Sequence, residues 1–255
     1  MSVTSGSFTR SLVISTNSII NVTSGKGIEI GTMLATTSNG NFIGTNTLTG
    51  NSLSSIAQTA IQLNSAESYS IAGTFSNTLS VTTNTVSIIT NGHGLYLGTR
   101  NIRSTGDVSI SNTLSTSTMS SLNSGTGLYI DSVSATSSTG RITETFSQTN
   151  VNYTTATRGV YIATRKFLAS TTISTTYTIT TSHYTTLTSD AINLEALDYT
   201  SAGALTQSIS ITSCSFSGIT GGSGLKISKN KMISSGSSVT TRLTLTNLTF
   251  SSINS

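Results

Sequence analysis

The sequence predicts an all-β protein built as one parallel β-helix, a solenoid of about seven coils with ~33 residues in each. Three observations predict it. The segment Gly125-Thr126-Gly127-Leu128-Tyr129-Ile130 returns as Gly25-Lys26-Gly27-Ile28-Glu29-Ile30, as Gly92-His93-Gly94-Leu95-Tyr96-Leu97 and as Gly222-Ser223-Gly224-Leu225-Lys226-Ile227. With the degenerate copies at Ile61, Val160 and Ile192, the first apolar residues fall at 28, 61, 95, 128, 160, 192 and 225, in steps of 33, 34, 33, 32, 32 and 33. Apolar residues alternate with polar ones, as in Leu128-x-Ile130 and Leu243-x-Leu245, which is a strand pattern. The composition agrees: 49 Ser and 51 Thr stand beside Val, Ile and Tyr, and strong helix formers are scarce. Helical repeats of similar period need apolar residues at i, i+3, i+4 and i+7, and these are missing.

The elements follow in order within each coil. The Gly-Leu-x-Ile segment predicts a first strand. A second, less regular strand is marked by Phe42, Phe75, Val108, Ile142, Ile173, Leu205 and Val239. A third is predicted from Ser/Thr-apolar-Ser/Thr triplets. Their outer members are Thr47 and Thr49, Ser80 and Thr82, Ser109 and Ser111, Thr145 and Ser147, Thr178 and Thr180, Ser210 and Thr212, and Thr244 and Thr246. A closing apolar pair follows, three apart, as in Met119 and Leu122 or Phe216 and Ile219. Glycine beside each corner is expected to supply the positive φ of the bends. One register runs from end to end, so residues 1–255 are expected to form one elongated domain. Residue 12 matches 243 and residue 22 matches 253, while Met1 falls on Met232 and Ser255 on Ser24. This predicts either a unit that stacks head to tail along the axis or a part of a longer solenoid.

The stretch from Ser213 to Ile227, with Cys214-Ser215-Phe216, Gly221-Gly222 and Leu225-Lys226-Ile227, resembles the polymorphic outer-membrane-protein repeat. That resemblance, and the wider likeness to pectate-lyase-like β-helices, implies a right-handed coil and a surface location. It transfers no site.

Composition excludes several functions. A net charge of +4 is thin over such a surface, and its basic residues are not interleaved with aromatics, so nucleic acid is not expected. No apolar run reaches the ~20 residues of a membrane-spanning helix. One cysteine, Cys214, makes neither an internal disulfide nor a Cys-based metal site, and its phase predicts a buried thiol. Residues 1–20 show no signal-peptide pattern. Twelve of the 20 charged residues follow the Gly-Leu starts: Glu29, Glu67, Arg100, Arg103, Asp131, Arg165, Lys166, Glu195, Asp198, Lys226, Lys229 and Lys231. The first strand and its corner are therefore expected to face water, and the triplet face to be uncharged.

Asp131 and Glu195 share a phase two coils apart, roughly 9.6 Å, near the upper limit for an inverting carboxylate pair. An adhesin or polysaccharide-cleaving enzyme using that corner is one reading. Charged residues on a charged corner need no catalysis, however, and no catalytic residue, cofactor or metal is assigned. His93 and His183 sit at different phases. Tyr96, Tyr129 and Tyr161 share one outward column, either a ring ladder that stacks on sugars or a set of cross-strand pairs stiffening the sheet. Asn21, Asn152 and Asn247 head Asn-x-Thr sequons, N-glycan acceptors in a secreted eukaryotic protein, and exposed hydroxyls could carry O-linked sugars.

The function these features favour is a structural extracellular or cell-surface filament, a glycoprotein whose partners are copies of itself. The alternative is an ice-binding β-helix using the Ser/Thr face, with Phe146 seen as a flaw in that face.

Overall fold

The chain is described by a computed structural model that covers residues 2–3 and 6–254, with side chains undescribed at 2–3, 64–68 and 70. The Glu67 side chain and the end matches of Met1 and Ser255 lie outside what is described.

The chain is an all-β parallel solenoid of about seven turns of ~33 residues, without a helix among the described residues. Three parallel sheets of 11, 8 and 8 strands run along it. The first sheet begins with the Gly-Leu-x-Ile segments. Ile28, Ile61, Leu95, Leu128, Val160, Ile192 and Leu225 pair in succession as one column, as the period predicts.

The second and third strands expected from the sequence are a single element. Phe42–Thr49, Phe75–Thr82, Val108–Ser115, Ile142–Thr149, Ile173–Thr180 and Leu205–Thr212 are eight-residue rungs of the second sheet. Phe8–Ser15 and Val239–Thr246 flank them. Alternation continues unbroken from Phe42 to Thr49, so no bend separates the marker from the triplet. The third sheet is instead built from the closing pairs, in short strands such as Thr118–Leu122 and His183–Leu187. Their inward residues stand three apart, not two, because the residue between them is left-handed: φ is 54° at Ser121 and 56° at Thr186. One such residue reverses which face the next side chain takes.

A second left-handed residue stands at every corner from rung to third sheet: Thr16, Gly50, Thr83, Thr116, Asn150, Thr181, Ser213 and Asn247, with φ between 45° and 65°. Glycine therefore does not supply most of these bends, contrary to the sequence expectation. For L-residues that conformation costs roughly 1–2 kcal/mol each. Hydrogen bonding to the next coil holds it, for example Thr116 N–H to the Thr149 carbonyl at 3.0 Å and Thr181 N–H to the Thr212 carbonyl at 3.0 Å. Gly127 serves another purpose. A Cβ there would lie 2.2 Å from Cδ1 of the buried Tyr153 ring, so glycine leaves room for third-sheet aromatics to fill the core.

Like side chains stack between coils. Tyr153, Tyr184, Phe216 and Phe250 form one ring column with centroids 5.0–5.1 Å apart, close to the ~4.8 Å strand spacing. Asn17, Asn51 and Asn84 form a side-chain amide ladder at 2.9 and 2.8 Å beneath the corners. Cys214 is buried, as its phase predicts.

Candidate functional site

Strand alternation sends every second residue of the rungs outward, and there the second sheet presents a face of one chemistry. On the five central rungs the outward residues are Ser76, Thr78, Ser80 and Thr82; Ser109, Ser111, Thr113 and Ser115; Thr143, Thr145, Ser147 and Thr149; Ser174, Thr176, Thr178 and Thr180; and Thr206, Ser208, Ser210 and Thr212. Every one carries a hydroxyl. The flanking rungs continue the array with Thr45, Thr47, Thr49, Thr240, Thr244 and Thr246, interrupted by Val13, Ile43 and Arg242.

The triplets recognised in the sequence all lie on this face, but two belong to other columns. Pairing aligns Ser80 and Thr82 with Thr113 and Ser115, not with Ser109 and Ser111. It aligns Thr178 and Thr180 with Ser147 and Thr149, placing Thr145 one column earlier. The triplet pattern is too short to distinguish registers two residues apart, whereas inter-coil hydrogen bonding admits only one. Phe146 points inward and is 1% exposed, so it does not break the face. Its column partners are Asn112 and Tyr177. Of the two columns nearest the rung start, the triplets include only Ser109, Ser111 and Thr145, although the eight-residue alternation carries both columns in full.

On the first sheet Tyr96, Tyr129 and Tyr161 are column partners, with centroids 5.4 and 4.8 Å apart. His93 lies 4.6 Å from Tyr129 and Arg158 lies 5.2 Å over Tyr161. The ring faces are turned on one another and on these neighbours. Asp131 accepts hydrogen bonds from Tyr96 Oη and Thr99 Oγ1, each at 2.8 Å, and from the Ser132 N–H at 2.7 Å. Burial pushes its carboxyl up, but those bonds and the Arg165 charge outweigh burial and hold it below the usual range. A carboxylate so engaged is poorly placed to give or take a proton at neutral pH.

The His93 ring is pushed down to about 4, first by burial and then by Arg158, with Asp131 opposing. Its Nδ1 accepts the Thr126 N–H at 3.2 Å, which favours the neutral ring. Between pH 6.5 and about 4 the unfolded chain therefore binds a proton that the native chain does not. Stability is expected to fall as the pH drops through this window, and His93→Gln should remove that part of the slope in urea titrations. An identical slope in the variant would refute the assignment.

The charged corner divides. Arg100 and Arg165 are 2% and 0% exposed and point into the core, a correction to the water-facing expectation. Arg165 Nε donates to Glu144 Oε1 at 2.8 Å, and Nη1 to the Asp131 carbonyl at 2.8 Å; Glu144 also accepts from Tyr177 Oη. An inward Arg at this position is stable because this partner and carbonyls satisfy it. Lys166, by contrast, is exposed.

The sequon residues lie on or beside the third sheet. Asn21 is exposed within Ser18–Val22, Asn152 begins Asn152–Ala156, and Asn247 occupies an exposed left-handed corner. His93 lies in the turn before Leu95–Ser104 and His183 on the third sheet, and among the described residues no three His, Cys, Asp or Glu are grouped to hold a metal. Compared with known protein families, with curated proteins and with solved structures, the chain matches none of them.

Proposed function

We propose that this solenoid is a structural element of an extracellular or cell-surface filament, extended by stacking coil on coil. The observation that supports it most is the contrast between the last coil and the one before. Val239, Leu243, Leu245 and Phe250 are 46, 53, 49 and 55% exposed, whereas Leu205, Ile209, Ile211 and Phe216 in the same columns are 0, 4, 1 and 1% exposed. A row of core side chains beside an unpaired sheet edge is a surface that calls for cover. A further coil in the same register would supply both the apolar partners and the backbone hydrogen bonds. Phe8–Ser15 has the matching phase, so that coil can come from a second copy, or from the same chain continued. Stiffness follows from the inter-coil hydrogen bonds and the stacked core. A right-handed coil and a surface location are the expectations carried by the polymorphic outer-membrane-protein resemblance, and glycans would sit at Asn21, Asn152 and Asn247, outside the core columns.

Electron microscopy of the purified chain should show unbranched filaments. An added copy should advance the axis by seven to eight strand spacings, roughly 34–38 Å at ~4.8 Å each. Leu245→Lys places a charge in the junction and should yield short soluble species. A chain that sediments as a stable monomer at high concentration, with its end coils folded, would refute axial self-stacking.

A further inference from the structure

Axial stacking uses the ends of the coil and leaves its flanks free, among them the hydroxyl face of the second sheet. The fold does not demand that chemistry. Outward strand positions favour Val, Ile and Tyr as much as Thr, and they also admit long charged or aliphatic side chains. The first sheet uses such residues at Tyr96, Tyr129, Lys166 and Leu168. On the central rungs of the second sheet none occurs.

The face is also regular in both directions. Rung pairing continues without a register shift from Phe8–Ser15 to Val239–Thr246, whereas the first sheet has an irregularity between Leu97 and Thr99. Hydroxyls therefore repeat at ~4.8 Å across rungs and about 6.6 Å along them. Threonine χ1 is stiff, so the 11 threonines among these 20 outward residues hold their hydroxyls in place before any ligand arrives.

The chemistry narrows the occupant. A charged ligand would meet no opposite charge on the central rungs, and a crystalline polysaccharide would find no ring to stack on. Burying the face against another protein would strip water from many hydroxyls at once. Each hydroxyl both donates and accepts, which is the hydrogen-bonding character of water itself. Water can bridge neighbouring columns at little cost where the groups it binds are already ordered. We infer that the second-sheet face binds ice, holding a layer of water in a lattice that continues into the crystal. This does not rest on filament formation, because the face is complete within one copy.

The test uses the purified, unglycosylated chain in freezing-point hysteresis and in recrystallisation of polycrystalline ice in sucrose. The chain should shape ice and slow its coarsening. Thr176→Tyr, flanked in its column by Thr145 and Ser208, should abolish both while leaving the melting curve intact, because an outward strand position accepts tyrosine. Ser134→Tyr, outward on the first sheet, should change neither, and Leu245→Lys should keep ice activity while blocking stacking. A folded chain without hysteresis or recrystallisation inhibition would overturn the inference, as would equal loss in Thr176→Tyr and Ser134→Tyr. Self-association reversed by Thr176→Tyr would assign the face to a second copy. On chain from its natural source, an intact mass above 26.3 kDa with sugar mapped to these hydroxyls would assign it to glycans. Either finding also overturns the inference.

Discussion

Leu128→Asp should abolish the fold. Leu128 is 1% exposed and sits mid-column between Leu95 and Val160. Truncating a buried leucine to alanine already costs about 2–5 kcal/mol. Aspartate adds a carboxylate with no cation in that column, so the group must either desolvate or bind a proton, and both are costly. The combined loss is comparable with the roughly 5–15 kcal/mol that stabilises typical domains. Because each coil is the template for its neighbours, a gap at the centre separates two short stacks. Circular dichroism should show loss of the cooperative melt, whereas Ser134→Asp, outward on the same sheet, should melt like the parent. A wild-type melting temperature for Leu128→Asp would refute the core assignment.

The buried pair Arg165 and Glu144 should give the second large effect, and an asymmetric one. Both side chains are 1% exposed, and the pair links the first sheet to a rung of the second. Burial alone would pull the Arg165 guanidinium down, but Glu144, Tyr177 and Tyr199 outweigh it and keep it protonated. Glu144→Ala strands that charge in the core, and Arg165→Ala strands the carboxylate. Each should cost about 3–5 kcal/mol in urea unfolding. The double variant Glu144→Gln with Arg165→Leu removes both charges and keeps an acceptor for Tyr177. It should recover most of the loss, since buried pairs gain little over well-packed neutral groups. Strict additivity of Glu144→Gln and Arg165→Leu would show that the two side chains do not act as a pair.

These two variants mark the boundary of what could be read in advance. Leu128 was legible because its column repeats in every coil and alternates with polar neighbours. Arg165 was not, because a charged residue after a Gly-Leu start normally faces water. Its inward position depends on Glu144, 21 residues earlier and on another sheet. The hydroxyl face was half legible. Its triplets are visible in the sequence, but a three-residue pattern fits more than one register, so it decides neither the columns of Ser109, Ser111 and Thr145 nor the inward place of Phe146.

By itself the sequence determined the parallel solenoid, its ~33-residue period and the columns headed by Leu128 and Phe42, because a repeat that cannot bury its apolar side alone must stack. Only the tertiary structure decided where the corners bend and which polar side chains turn inward. Threonine and serine carry no local preference for the left-handed conformation they adopt at Thr116, Thr181 and Ser213. Hydrogen bonds from the adjacent coil hold them there, and those bonds exist only once the coils have stacked.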